Sequence, residues 1–211
     1  MQLEIPNIVG SADPVSWSDI TIDKSWKTNL VIIEKGRAHF IGELARTQSE
    51  IKRYLVDRGS LTQIADVFLV IKAALPLISK NKEERNIILG IGVPISTSKE
   101  KMKELSSKLK GEFIVKIQNE ATKDVIERSF NIKQIFLMPE SYGTYFNILT
   151  QVGEEDVVDA IVISLDLHTE IITIYDGNLI RKASRNLATA SLSVLTSKVA
   201  LALEEDFRGA L

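Results

Sequence analysis

Between residues 86 and 150, short apolar runs alternate with stretches of helical period. That alternation limits the chain to folds that layer helices on a sheet. "NIILGIGVP" is a continuous apolar run and predicts a strand buried on both faces. "TSKEKMKELSSKLKG" predicts a helix capped by Thr97 and Glu100, with Met102, Leu105 and Leu109 as its buried stripe and Gly111 as its stop. "EFIVKIQ" and "VIERSFNI" predict a hairpin, and "KQIFLMP" a further strand. A helix is then expected from Pro139, whose fixed φ suits a first helical turn.

The flanking segments extend the pattern. "NLVIIEKGRAHFIG" carries a hairpin signal at Lys35-Gly36, and "GELARTQSEIKRYLVDRG" suggests a loop with a short helix and an exposed Glu43. In "SLTQIADVFLVIKAALPLISK", Ser60 and Gln63 fit a capping box and the segment is apolar almost all round, so a buried helix is expected, bent or ended by Pro76. "DAIVISLDL" and "EIITIYDGNLIRKAS" predict three strands, the last two joined at Asp176-Gly177. A final amphipathic helix is expected at 189–207, burying Leu192, Leu195, Val199 and Leu203.

Composition excludes several functions. The net charge of −2 over 211 residues gives no electrostatic case for nucleic-acid binding. With no cysteine, disulfides and thiolate metal sites are ruled out, and His39 and His168 show no metal-ligand spacing. No apolar stretch reaches the length of a membrane span, the first residues lack a signal-peptide pattern, and a cytoplasmic protein fits.

Five segments taken in order resemble a known family. "IPNIVG", "FIGELARTQSE", "IGVPISTSKEKMKELSSKLKGEFIVKI" and "IKQIFLMPESYGTYFNIL", followed by a strand, an Asp and a hairpin, are similar to the plasmid-segregation actins of the ParM type and their archaeal relatives. The resemblance implies an α/β, actin-like (RNase H-like) fold, with mixed sheets flanked by helices and incomplete relative to the family. Residues 1–153 would form the first half without its opening phosphate-loop hairpin. Residues 154–211 would start the second half, or fold back to complete the first. Such proteins bind ATP between two halves and assemble into filaments.

Glu140 falls on the Pro-Glu-Ser position whose glutamate, in the family, orients the attacking water. Asp166 falls on the acid of the second phosphate loop that acts on the metal through water, with His168 and Thr169 in the same altered loop. The family's glycine-rich first turn and adenosine loop have no counterpart, and Asp166-Leu167-His168-Thr169-Glu170 stands where glycine amides would hold phosphate. The residues alone also allow plainer roles: Glu140 as a first-turn acid, Asp166 as a strand-end residue, His168 as an exposed turn residue.

Three functions follow. The first is a degenerate actin-like protein that associates with itself or with a full-length actin-like partner, without hydrolysis and with no cofactor. The second is an active actin-like ATPase using ATP and Mg2+. The third is an α/β domain holding a small ligand at its strand ends. Neither nucleic acid nor membrane is expected as a direct partner.

Overall fold

The computed structural model describes residues 3–12, 23–57, 59–152, 159–165, 169–187 and 194–199. In chain order the elements are β1 (Ile8–Ser11), β2 (Leu30–Glu34), β3 (Arg37–Ile41), α1 (Glu43–Gln48), β4 (Lys52–Tyr54), β5 (Val56–Asp57), β6 (Ser60–Leu61) and α2 (Ile64–Ile78). They continue with β7 (Glu83–Val93), α3 (Lys99–Leu109), β8 (Gly111–Asn119), β9 (Val125–Pro139), α4 (Glu140–Val152), β10 (Ala160–Leu165), β11 (Thr169–Tyr175), β12 (Asn178–Leu179) and β13 (Arg185–Leu187). A seven-stranded sheet has the order β4-β1-β3-β2-β8-β9-β7. A second sheet runs β10-β11-β12, with β13 also on β11, and β5 and β6 form a short pair.

The chain divides into two compact units. The first comprises residues 1–56, 61–89 and 99–136. Its β2–β3 hairpin turns at Lys35 and Gly36, both at positive φ as a tight two-residue turn requires. The helix α2 packs on β1, β2 and β8 and against α3, whose Leu105 and Leu109 are buried. Two charges enter this apolar layer, and each is paired. Asp66 accepts two hydrogen bonds from Arg53, at 2.9 and 3.0 Å, and buried Lys72 donates to Glu34 at 2.7 Å while lying over the Phe68 ring. Such pairing is what makes a buried charge tolerable.

The second unit comprises residues 57–60, 90–98 and 137–211. In β10 and β11, inward side chains alternate with outward ones as a strand's period of two dictates. Val162, Ile172 and Ile174 meet Tyr145 of α4 in a small core, edged by Ile95, Tyr142 and Leu149. The Tyr142 hydroxyl donates to the Gly177 carbonyl at 2.6 Å, tying α4 to the β11–β12 turn.

Several expectations change. The run at 86–94 forms most of β7, which ends at Val93 and is an edge strand among the described residues; exposed and partly covered residues alternate on it, with Ile88 exposed. Among the described residues its run has a strand neighbour on one side, and Gly90 and Gly92 offer no side chain to bury. The two strands expected over 125–139 form one strand, β9. Ser60 lies in β6, and α2 starts after Gln63 with no side-chain cap. Pro76 is accommodated in the last turn of α2. Glu43 begins α1, half-buried and paired with Arg46. The hairpin at 171–183 pairs with β10 in the second sheet. Of the helix expected at 189–207, residues 194–199 are helical, but Leu195 and Val199 are exposed; Leu192 and Leu203 lie outside the described residues.

Candidate functional site

The second unit gathers its polar groups where β7 ends, α4 begins and β11 begins. Glu140 is the first residue of α4, one position later than the sequence suggests, and is exposed. Gly92 makes room for it: a Cβ there would lie 3.1 Å from Glu140 Cγ and 3.3 Å from its Cα. A glycine within a strand often marks such a close approach.

Glu170 is the second residue of β11 and is almost wholly buried, with 1% of its surface exposed. It stands opposite Ser164 on one side and Asn186 on the other. Neither carboxyl oxygen completes a hydrogen bond. Burial, first, and the charge of Glu140, second, push its pKa up to about 7. The Ile95 amide and the Ser141 hydroxyl draw it down less strongly. Ser141, the second residue of α4, is itself buried with an unsatisfied hydroxyl, and so is Thr97.

A turn at Gly59 closes the other side. Gly59 has a φ of 72°, and a Cβ there would overlap the Asn186 amide, so only glycine fits. Its carbonyl accepts from Asn186 Nδ2 at 3.2 Å and from the Ser96 hydroxyl, which also bonds Ser60. Asn186 is thus held between the Gly59 turn and the strand that carries Glu170.

Of the residues singled out from the sequence, Glu140 lies in this constellation and Thr169, buried, opens β11 beside it. Asp166 and His168 lie outside the described residues. Glu170, Ser141, Ser96, Gly59 and Asn186 are members that the sequence alone does not single out. The strand period carries a signal for Glu170, which shares parity with the inward-facing Ile172 and Ile174.

Chemically, the pair is an exposed acid and a buried acid held largely protonated below neutral pH, an arrangement suited to storing or passing a proton. Among the described residues no three His, Cys, Asp or Glu side chains are grouped to hold a metal. His39, which belongs to the first unit, has its pKa lowered by burial and by Arg53.

The profile of the family described as actin-like proteins, N-terminal domain, matches residues 1–143. Among solved structures, the archaeal actin homologue Ta0583 superposes with a TM-score of 0.62 at 20% identity, over 93% of this chain and 59% of that one. The actin-like protein Alp7A gives 0.64 at 15% identity, over 92% and 57%. Bacillus thuringiensis ParM with ADP gives 0.56 at 15%, over 96% and 57%. At these identities the likeness is one of fold, and the chain spans under three-fifths of each relative's length. No protein of curated function matches the chain.

Proposed function

The chain belongs to the actin-like proteins, and on that premise we propose that it acts through protein association, as a scaffold or regulator of the cytoskeletal or segregation type, and not through ATP hydrolysis. The observation that carries this is the stretch Asp166-Leu167-His168-Thr169-Glu170, which puts side chains where the family has glycines, with Glu170 buried at its end. Without those glycines the backbone amides cannot come close to the phosphate that an actin-like ATPase must hold. A catalytic role for Glu140 would need a phosphate chain beside it, as would a nucleotide-binding role for Asp166, His168 and Thr169 and a metal role, through water, for Asp166. The part of the two described residues here is structural: Glu140 complements the α4 dipole and Thr169 starts the β11 ladder.

Association is supported by what the strands leave open. Among the described residues β10 and β7 end their sheets, and β10 exposes Ile161, Ile163 and Leu165. Unpaired strand edges recruit other strands. The partner is a second copy or a longer actin-like protein, in the cytoplasm. No helix among the described residues is long and apolar enough to cross a membrane.

Sedimentation at micromolar concentration, with and without Mg2+ and ATP, tests both parts. A dimer or larger species is expected, unchanged by nucleotide and releasing no phosphate. Magnesium-dependent ATP hydrolysis lost in Glu140→Ala would overturn the non-hydrolytic reading. A clean monomer, alone and with an actin-like partner, would overturn association.

A further inference from the structure

We propose that the inner face of the second unit, where β11 begins beneath α4, binds a monovalent alkali cation, Na+ or K+, through the oxygens of Glu170, Ser141 and Asn186. These residues all belong to that unit, and the site is independent of whether the chain associates or binds nucleotide.

Three observations carry it. First, the residues are brought together by register and packing. Glu170 and Asn186 stand directly opposite each other in the β11–β13 ladder, so their side chains lie on one face of the sheet. It is the face of Ile172 and Ile174, which share the parity of Glu170 and meet Tyr145 of α4. Glu170 is 1% exposed, and Ser141, the second residue of α4, is 2% exposed. The Ser141 hydroxyl and the Ile95 amide both act on the Glu170 carboxyl.

Second, the oxygens gathered there lack partners. Both Glu170 carboxyl oxygens, Ser141 Oγ and Asn186 Oδ1 are buried without a hydrogen bond. Buried polar atoms are nearly always satisfied, so a group of them calls for a ligand. The Asn186 amide is oriented with its oxygen free. Its Nδ2 donates to the Gly59 carbonyl at 3.2 Å, and turning the amide over would set oxygen against oxygen.

Third, the set has the chemistry of an alkali-cation site. Its free atoms are all oxygens, the ligands that hard cations take. A carboxylate, an amide carbonyl and a hydroxyl carry one negative charge together. That balances one positive charge in a place shut off from water. Mg2+ keeps several waters in a near-octahedral shell, which a buried cluster does not provide. Ser164, Asn186 and Ile95, which neighbour Glu170 from β10, β13 and the 94–98 segment, carry no charge. From α4 the charge acting on it is that of Glu140, also negative. The positive end of α4 amounts to about half a charge and opposes a cation, but the two carboxylates exceed it.

Thermal melts of the full chain in NaCl, KCl or tetramethylammonium chloride at equal ionic strength test the site, since tetramethylammonium is too large to enter. At pH 8 the wild type is expected to melt at least about 3 °C higher in NaCl or KCl, with a shift that grows with cation concentration. At pH 5 the three salts should give one melting temperature, because a proton on Glu170 takes the cation's place. Glu170→Gln should melt alike in the three salts at pH 8. Ser141→Ala removes one oxygen and no charge, and should reduce the shift. The sodium NMR linewidth reads binding without unfolding. It should broaden with the wild type at pH 8, narrow again on adding KCl, and stay narrow with Glu170→Gln. One melting temperature in all three salts at pH 8 would overturn the site. A salt shift or a broadened sodium line that Glu170→Gln retains would assign the effect to general ionic interactions and overturn it as well. Stabilisation by MgCl2 and by neither alkali salt would overturn the monovalent assignment.

Discussion

Glu170 is buried beneath the start of α4 in the electrostatic field of Glu140, and the two carboxyl groups do not ionise independently. Burial and the Glu140 charge raise Glu170 from the ordinary 4.5 to about 7. An acid raised on folding binds more protons in the folded chain than in the unfolded one between those two values. Stability therefore falls as pH rises from about 4.5 to about 7 and levels off above that. The loss is at most about 3 kcal/mol, at about 1.36 kcal/mol for each pH unit between the two values. Glu170→Gln keeps the shape and removes the charge. It is expected to flatten this slope and to be more stable than the wild type at pH 8 by about 1–3 kcal/mol. Denaturant melts at pH 5 and pH 8 check it, and parallel slopes in the two proteins would refute it.

Asp66 is 3% exposed and holds Arg53 through two hydrogen bonds. Removing Asp66 takes a charge-assisted pair of hydrogen bonds from the partly exposed Arg53. Asp66→Ala is expected to cost about 1.5–3 kcal/mol, read from the urea midpoint at constant m-value. Changing both residues to apolar ones of similar volume should restore part of that loss. A loss below about 1 kcal/mol for Asp66→Ala, the scale of an exposed pair, would show that water reaches the two groups.

Local signals are legible where they depend on neighbours in sequence. The turns at Lys35-Gly36 and Asp176-Gly177 and the helix at 99–109 appear where their residues place them. The signals fail where a distant residue decides. The α2 segment reads as apolar all round, yet its Asp66 and Lys72 are buried because Arg53 and Glu34 lie 13 and 38 residues away. The strand at 86–94 reads as buried because an apolar run does not say how many neighbours its sheet supplies. At the site, Glu140 is legible from its place at a strand-to-helix handover. Glu170 opens the predicted strand "EIITIY", but its burial is not legible, because a strand-end position does not say that α4 covers that face.

The helix at 194–199 gives a direct measure of that difference. Leu195, expected from its helical spacing to be buried, is 57% exposed, while Leu105 of α3 has no exposed surface. Leu105→Ala is expected to cost about 2–5 kcal/mol, and Leu195→Ala under about 0.5 kcal/mol. Equal losses would mean that Leu195 is covered in solution by surface that the described residues do not supply.

The last test isolates Glu140 without reference to nucleotide. Its carboxylate has two opposing effects. As a first-turn acid it stabilises the positive end of α4, an effect of about 0.3–1 kcal/mol for an exposed group. As a neighbour it makes ionising Glu170 harder. At pH 5 Glu170 is protonated in the fold, so Glu140→Ala exposes only the helix effect and should lose about 0.3–1 kcal/mol. At pH 8 Glu170 is largely ionised, and removing the second charge offsets that loss. The variant's deficit should therefore shrink or reverse between pH 5 and pH 8, and the top of the stability slope should move below 7. Thermal melts at the two pH values, fitted for both proteins, decide it. A deficit that is equal at both would mean that solvent screens the two carboxyl groups from each other.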